Sequence, residues 1–576
     1  MKNILAVFTL LAFSLNSFSF DADVKNAPKA IRAAPPAPKI SDAERQTELA
    51  KRRAKVLAAM ADNSVMILMS ATAKNYAGDV DFMYRQENNL YYLTNLKQNN
   101  ATLVLTKNGG QTGEFLFLPK RNPAQETWNG KMYSREEAQK ISGVKTMIDA
   151  AELKDLLPAL KDKKPFASKD GVNIATAETI YLLLPENEND GDGTAEYRKE
   201  NEFSKSVSGT KIENARQFFD DLRIVKSPWE TKLLQHAIDI TTEAQERAMA
   251  MVSKAEFEYQ VQAEVEYTFR RRNADYWGYP SIVGCGPNAT TLHYVESQGA
   301  VKPGDLMLTD VGAEYDHYTA DVTRTYPVNG KFSKEQAEIY NAVYDAQEAA
   351  AKKIKPGANF RDPAQAATES IKQSLAKLGL ITAPNATYQI IYQGKPIEMP
   401  QYRLWFMHGW GHWLGMNVHD IGGDGATVLK EGMVMTNEPG IYIRQDALDY
   451  LADTPDNKKF TEKIRPMFEK YKNIGVRIED DMLVTANGTE WMTGNLPRKI
   501  SDIEAFMAQA SKEMNYTAAN LMVNPTLAVI DYSDFSSASL FDWKPMNGAT
   551  VRRGWISSGK AIADSGSSHL AHSHGE

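Results

Sequence analysis

The chain reads as two domains in series: an α/β domain, then a larger α+β domain made of two similar halves. Three observations predict this. Up to about residue 215, short apolar runs of β-type residues alternate with helix-like pieces. From residue 216, a pair of amphipathic helices followed by β-type runs occurs twice. A length of 576 residues exceeds one ordinary domain, and 43% hydrophobic with 24% charged residues is a globular balance with enough apolar material for a sizeable core.

The first segment, "MKNILAVFTLLAFSLNSFSF", has Lys2 as a short positive region and an apolar stretch from Ile4 to Leu15. That stretch is too short to span a bilayer. Ser17 and Ser19 supply small residues for cleavage. Residues 1–19 therefore read as a secretory signal peptide, with an uncleaved anchor as the competing reading. A secreted or periplasmic protein with no membrane attachment after cleavage is expected. Residues 20–44, rich in Ala and Pro, read as an extended linker.

Residues 45–215 form the predicted N-terminal domain. "DAERQTELAKRRAKVLAAM" has helical spacing. "SVMILMSA", "NLYYLTNL", "ATLVLT" and "EFLFLP" read as strands, and "SREEAQKIS" as a helix. The acidic "PENENDGDGTAE" reads as a solvated surface loop.

Residues 216–510 form the second domain. Pro228 sits at a first helical turn. Ser253 with Glu256, and Ser333 with Gln336, fit capping boxes. Pro356-Gly357 and Gly379 mark helix ends. Residues 511–576 lose periodicity and form an extension of unknown role; His569, His572 and His574 read as part of a tail.

A net charge of −7 with no long basic run argues against nucleic-acid binding. The single cysteine, Cys285, rules out an internal disulfide and a cysteine zinc site.

The chemistry gathers in the second domain. "FMHGWGHWLGMNVHD" holds three of the chain's nine histidines, His408, His412 and His419. A lone histidine among apolar residues is usually a satisfied core residue; three together point toward a metal or acid–base site. Asp310 and Asp321 lie in two β-type runs flanking a turn, where unpaired charge is costly. Either alone reads as turn-associated; on adjacent strands they can aim at one point. Glu438 ends an apolar strand before Pro439-Gly440, and "GVRIEDDMLVT" carries a further acidic cluster. In that run Arg477, Glu479 and Asp481 alternate with Val476 and Ile478, and a solvated edge strand would also explain it. Like charges raise one another's pKa, so several carboxylates with one imidazole call for divalent cations. Oxygen donors with one nitrogen suit Mn, Co or Zn. Two metals sharing carboxylates are an arrangement used for hydrolysis.

These residues carry a resemblance. "SIVGCGPNATTLHY", "LTDVGAEYDHYTADVTRTYPVNGKF", "FMHGWGHWLGMNVHD", "GMVMTNEPGIYI" and "GVRIEDDMLVT" occur in the order found in aminopeptidase P, the Xaa-Pro aminopeptidases of the pita-bread metallopeptidase class, which the chain resembles over roughly residues 45–510. The resemblance implies an α/β N-terminal domain and an α+β pita-bread catalytic domain with pseudo-two-fold halves. It implies two divalent metal ions, usually Mn2+, on Asp310, Asp321, His412, Glu438 and Glu479, and chooses Glu479 over Asp480 and Asp481. It implies that Glu438 also handles the proton of the attacking water. His293, His408 and His419 are placed around the substrate, His419 near the scissile carbonyl, with Arg477 and Tyr442 beside them. Trp405, Phe406, Trp410 and Trp413 then read as walls for a proline ring, or as packing. "DVDFMYRQENNLYYLTNL" resembles the family's N-terminal "YRQ" segment, and Asp79 and Trp128 match positions that approach a neighbouring subunit's site. A homo-oligomer, dimer or tetramer, is thereby implied. The stretches before Phe406 and between Tyr442 and Arg477 are longer than in compact bacterial members and are expected to reshape the substrate entrance.

The expected function is an exported aminopeptidase that removes the residue preceding proline from peptides. A prolidase, cleaving only Xaa-Pro dipeptides, shares the ligands; the extended N-terminal domain favours the aminopeptidase. A creatinase-type amidinohydrolase lacks the ligands. A catalytically dead peptide-binding module is the reading from another class, and the complete ligand set argues against it.

Overall fold

The N-terminal domain is organised by a six-stranded mixed sheet. The computed structural model describes residues 30–185 and 196–513, all in one unit of the chain. The predicted signal peptide, nearly all of the acidic loop and the histidine tail lie outside the described residues. Ser41 caps α1 (Asp42–Ala59) by accepting from the Glu44 N–H, and Leu49, Val56 and Leu57 form its buried face. The strands are β1 (Ser64–Met69), the small hairpin β2 (Asn75–Ala77) and β3 (Val80–Asp81), β4 (Thr102–Asn108), β5 (Gln111–Leu118), β6 (Thr146–Asp149), the pair β7 (Phe166–Ala167) and β8 (Asn173–Ile174), β9 (Thr179–Leu182) and β10 (Lys211–Asn214). The main sheet runs β10-β9-β1-β4-β5-β6, antiparallel from β1 to β5 and parallel toward both edges.

One predicted strand is a helix. "NLYYLTNL" forms α2 (Asn88–Thr94), capped by the Glu87 carboxylate accepting from Leu90 N–H and closed by Asn95 in the left-handed region. All seven residues are buried. With every side buried, period two and period 3.6 look alike, and the cap is the deciding signal.

The chain before α1 is tied down. The Arg32 N–H donates to Glu246 and the Ala34 N–H to Glu243, while Ile31 is buried against Ala250 and Ala510. Among the described residues no helix is long and apolar enough to cross a membrane.

The second domain repeats one plan. Its first half has α3 (Pro228–Met251) and α4 (Glu258–Arg271), followed by β11 (Tyr276–Trp277), β12 (Ile282–Cys285), β13 (Leu306–Val311), β14 (Ala313–Tyr315), β15 (Tyr318–Thr319) and β16 (Val322–Pro327). Its second half has α5 (Lys334–Ala351) and α6 (Arg361–Leu378), then the hairpin β17 (Thr387–Tyr392) and β18 (Lys395–Pro400), β19 (Val434–Asn437), β20 (Gly440–Tyr442), α7 (Pro455–Tyr471), β21 (Gly475–Arg477), β22 (Asp480–Thr485) and β23 (Gly488–Trp491), closed by α8 (Ile500–Glu513). Strand orders β12-β13-β16 and β19-β22-β23 are the cores of the halves.

The capping boxes at Ser227/Glu230 and Ser333/Gln336 are formed, and Gly379 ends α6 with φ 73°. The box expected at Ser253/Glu256 is not. Ser253 lies in a 3-10 turn, and the amide oxygen of Gln260 accepts from Glu256 and Phe257 N–H, so the helix starts at Glu258.

The two longer stretches pack on each other. Asn457 of α7 exchanges hydrogen bonds with the Gln389 backbone of β17 at 2.8 Å each way, and Tyr388 stacks near Phe460.

Candidate active site

The carboxylates are brought together by strand register. β13 and β16 pair antiparallel with Asp310 opposite Thr323, which places Asp321, just ahead of β16, beside Asp310. β19 pairs with β22 and β20 with β21, so Glu438 and Glu479 occupy the two short breaks between those ladders. The solvated edge strand considered for residues 476–481 is excluded: the six are all buried, because both faces of this segment are covered. Gly411 allows the histidine segment to cross β19 closely, as a Cβ there would lie 2.3 Å from the Thr436 carbonyl oxygen.

These elements enclose a pocket of ≈ 600 Å³ lined by Asp310, Asp321, His412, Glu438 and Glu479, with His293, His408, His419 and Arg477 around them. Ligand-capable atoms of Asp321, His412 and Glu479 all lie within 4.8 Å of one another. His412 Nε2 is 3.3 Å from Asp321 Oδ2 and 3.3 Å from Glu438 Oε1. Its Nδ1 lies 3.0 Å from the Trp413 carbonyl oxygen, an acceptor only, so Nδ1 carries a proton and Nε2, on the carboxylates' side, is the nitrogen that would bind a metal ion.

Three neighbours complete the cluster: Tyr279 and Thr323, which the sequence did not flag, and Asp481, which it placed in the acidic run but outside the ligand set. The Tyr279 hydroxyl lies 2.5 Å from Asp310 Oδ1 and 2.6 Å from Asp321 Oδ1. Thr323 Oγ1 donates to Glu479 Oε2 at 2.6 Å. Asp481 accepts the Asp321 N–H on one oxygen, while its other oxygen is buried with no partner. Thr323 had a signal, being two residues past Asp321 on the same strand face. Tyr279 had none.

The electrostatics ask for a cation. Burial, with Asp321 and Asp310 adding repulsion, pushes the Glu438 carboxyl up to about 7. Burial, with Asp310 beside it, raises Asp321, and burial with the Asp321 charge raises Glu479 and Asp481 well above the usual carboxylate range. Burial opposes the His412 imidazolium, yet Asp321 and Glu438 hold it up to about 9. Four buried carboxylates, Asp310, Asp321, Glu479 and Asp481, gather here with the half-buried Glu438, and Arg477 pairs with Asp310 through Nη2. An oxygen-rich, crowded donor set with one oriented imidazole fits divalent metal ions.

A chain of hydrogen bonds borders the cluster. Arg477 Nη1 donates to the Tyr442 hydroxyl oxygen at 2.7 Å; the hydroxyl lies 2.8 Å from His408 Nε2, and His408 Nδ1 lies 2.7 Å from the Gly409 carbonyl oxygen. The only consistent proton arrangement is a neutral His408 with its proton on Nδ1. Burial and the Arg477 charge agree, holding His408 down at about 3. Both His408 nitrogens are thus committed. The His419 ring stands edge-on to His412, centroids 4.3 Å apart, and is exposed toward the pocket.

The apolar walls come from residues other than the aromatics of the histidine segment, for which packing was the other reading. Ile282, Leu292, Val295 and Val418 line the pocket with Pro280. Trp405, Phe406, Trp410 and Trp413 are instead core residues, all buried; the indole N–H groups of Trp405 and Trp413 serve the Leu380 and Gly423 carbonyls, and Phe360 stacks on Trp413. Large indoles gain most from full burial when a carbonyl takes the N–H. Tyr442 is buried behind His408. Asp79, in the β2–β3 turn, and Trp128, 77% exposed, lie on the N-terminal domain surface and do not line this chain's pocket.

Comparison with known proteins agrees across both domains. Residues 232–486 match the model of metallopeptidase family M24, and residues 49–166 that of the aminopeptidase P N-terminal domain. A Xaa-Pro aminopeptidase of Haemophilus influenzae is 35% identical over 463 residues, spanning 80% of this chain and 97% of the relative. That of Escherichia coli is 32% identical, spanning 82% of this chain and 100% of the relative. Among solved structures, the Pseudomonas aeruginosa aminopeptidase PepP superposes with a TM-score of 0.66 at 34% identity, covering 81% of this chain and 99% of that one. Escherichia coli aminopeptidase P with the inhibitor Pro-Leu gives 0.66 at 30% identity, covering 82% and 100%.

Proposed function

The chain belongs to the aminopeptidase P group of metallopeptidase family M24, a metalloaminopeptidase with an α/β N-terminal domain and a pita-bread catalytic domain, and from that membership we propose that it is an exported Xaa-Pro aminopeptidase that uses two divalent ions, Mn2+ foremost, with Co2+ and Zn2+ as alternatives. One observation carries the reading: the ligand-capable atoms of Asp321, His412 and Glu479 converge within 4.8 Å in an apolar-walled pocket, with Glu438 at 3.3 Å from His412. Asp310, Asp321, His412, Glu438 and Glu479 would hold the ions. When bound, these supply Lewis acidity to the attacking water and the scissile carbonyl.

The chain's own groups do the rest. Glu438 takes the proton of the attacking water. His419, with no hydrogen bond to any described residue, donates to the oxygen on which charge develops. The Arg477–Tyr442–His408 chain fixes one side of the pocket, and His293 borders the other. Carboxylates at the pocket floor receive the substrate's free N-terminal amine, which limits removal to one residue. Proline lacks an N–H and has a fixed φ; Leu292, Val295 and Val418 offer a ring-sized apolar surface that asks for no donor.

Export rests on the N-terminal "MKNILAVFTLLAFSLNSFSF" and implies a secreted or periplasmic enzyme. Homo-oligomerisation is supported by large apolar side chains exposed on the N-terminal domain: Tyr76 at 67%, Phe82 at 51% and Met83 at 55% around one hairpin, and Trp128 at 77%. Asp79 belongs to that same hairpin and would meet a neighbouring subunit's substrate.

A peptide panel with manganese tests the function. Ala-Pro-Ala is expected to lose its first residue, with Ala-Ala-Ala and N-acetyl-Ala-Pro-Ala poor substrates and Ala-Pro no better than the tripeptide. Rapid cleavage of Ala-Pro with none of Ala-Pro-Ala would make it a prolidase. Equal cleavage of Ala-Ala-Ala would remove the proline pocket.

A further inference from the structure

The ring of His419 is placed by a short loop and nothing else. Among the described residues it has no hydrogen-bond partner, only the edge contact with His412. Its position is therefore that of the loop 415–421, whose ends the catalytic domain holds through the Thr319 N–H on the Gly415 carbonyl and the Asp420 N–H on the Trp413 carbonyl, and whose side chains are held from outside the catalytic strands.

At one end the holder is the N-terminal domain. Arg85 Nη2 donates to the Met416 carbonyl oxygen at 2.8 Å, and Asn88 Nδ2 donates to Asn417 Oδ1 at 2.6 Å. Both side chains are braced. Arg85 Nε reaches the two Glu314 oxygens at 3.0 and 2.8 Å, and Arg85 Nη1 donates to Asn88 Oδ1 at 3.0 Å. Asn88 is buried, and its Oδ1 also lies 3.2 Å from His317 Nδ1. At the other end Asp420 is held by Arg223 Nη2 at 2.5 Å and Lys226 Nζ at 3.2 Å, on the segment that joins the two domains. Between these anchors only Val418 and His419 are left, and both line the pocket.

We propose that Asn88 and Arg85 of the N-terminal domain are positioning residues for His419, so that the N-terminal domain sets turnover within its own chain. This rests on the reading that His419 serves the scissile carbonyl. The physical reason is the steepness of catalysis with geometry: a shift near 1 Å in a reacting group costs on the order of a hundredfold. Removing Asn88 Nδ2 frees Asn417 and leaves the loop with one anchor fewer, two residues from the ring.

A double-mutant cycle on the full-length, manganese-loaded enzyme tests it, with kcat and KM measured on Ala-Pro-Ala. Asn88→Ala is expected to lower kcat about tenfold or more in the otherwise native enzyme. In a His419→Ala background the same change is expected to cost less than about twofold, because residues acting as one unit are not additive. Metal content should be equal throughout. Equal losses in both backgrounds would show a general structural role, and no loss in the first would remove the role altogether. If His419→Ala alone turns over normally, the assignment of His419 falls and the inference with it. Should Asn88→Ala fail to fold, Arg85→Lys carries the same cycle, since lysine keeps a bond to Glu314 but cannot also reach Met416.

Discussion

Gln245 and Gln347 occupy equivalent places in the two halves of the catalytic domain. Gln245, buried in α3, donates through Nε2 to the carbonyls of Thr309 and Val322 at 3.0 and 2.8 Å. Gln347, buried in α5, donates through Nε2 to the carbonyls of Asn437 and Ile478 at 3.0 and 3.1 Å. Those four residues adjoin Asp310, Asp321, Glu438 and Glu479 in turn. Each glutamine thus bridges two strands next to the carboxylates they carry.

Replacing either glutamine by methionine keeps volume but leaves two buried carbonyls short of a donor. Each unpaired group costs about 1–3 kcal/mol. Gln347→Met is expected to lower the urea midpoint and to weaken manganese binding in a titration of the folded protein. Unchanged stability with unchanged manganese affinity would remove this role.

The carboxylate cluster predicts its own metal dependence. Elemental analysis after manganese loading should find about two ions per chain, as a shared-carboxylate site requires. Asp321→Ala and Glu479→Ala should lose metal and activity while the circular dichroism spectrum persists. A fully active Glu479→Ala enzyme would contradict the ligand set.

His419→Ala should keep both metals and lose turnover by about a hundredfold or more, the usual cost of one transition-state hydrogen bond. Stoichiometric loss of metal would instead make His419 a ligand.

Glu258 predicts an effect on the loop that carries His293. Its buried carboxylate accepts Cys285 N–H and Asn288 Nδ2 on one oxygen, at 2.6 and 3.0 Å. The other accepts the Tyr294 hydroxyl and Gly299 N–H, at 2.9 and 2.6 Å. Whichever way a glutamine amide turned, its NH2 would face a backbone N–H. Glu258→Gln should therefore raise amide exchange across residues 285–299 and lower kcat/KM by about tenfold, from one or two lost charge-assisted bonds. Native exchange rates there would refute it.

His317 predicts acid sensitivity. Burial, with Arg85, Lys97 and Arg223 nearby, holds its pKa well below the ordinary histidine value, and it stacks on Tyr91 at 3.7 Å. The unfolded chain takes up this proton first as pH falls. The stability that neutral His317 contributes is whole above pH ~6.5 and is lost below it, by up to about 1.4 kcal/mol per pH unit. His317→Asn, which tolerates the positive φ there, should flatten the urea-midpoint slope between pH 7 and 5 relative to the native chain. Identical slopes would dismiss the effect.

The sequence by itself determined the two-domain order, most strands and helices, and the residue types of the site. Repeated helix pairs, Ser-x-x-Glu/Gln caps and strand-end carboxylates are local signals, and local hydrogen bonding or periodicity is enough to form them. It did not determine that "NLYYLTNL" is helical, because a run buried on all sides has no telling period. Nor did it show that the tryptophans of "FMHGWGHW" are core rather than pocket wall; burial depends on what covers a residue, and Phe360 and the Leu380 carbonyl come from elsewhere in the chain. Only the tertiary structure brought Tyr279, Thr323 and Asp481 to the carboxylates, joined Arg477 to His408 through Tyr442, and set Asn88 against Asn417, 329 residues apart. Hydrogen bonds and charge act over a few ångströms in space, whatever the separation along the chain.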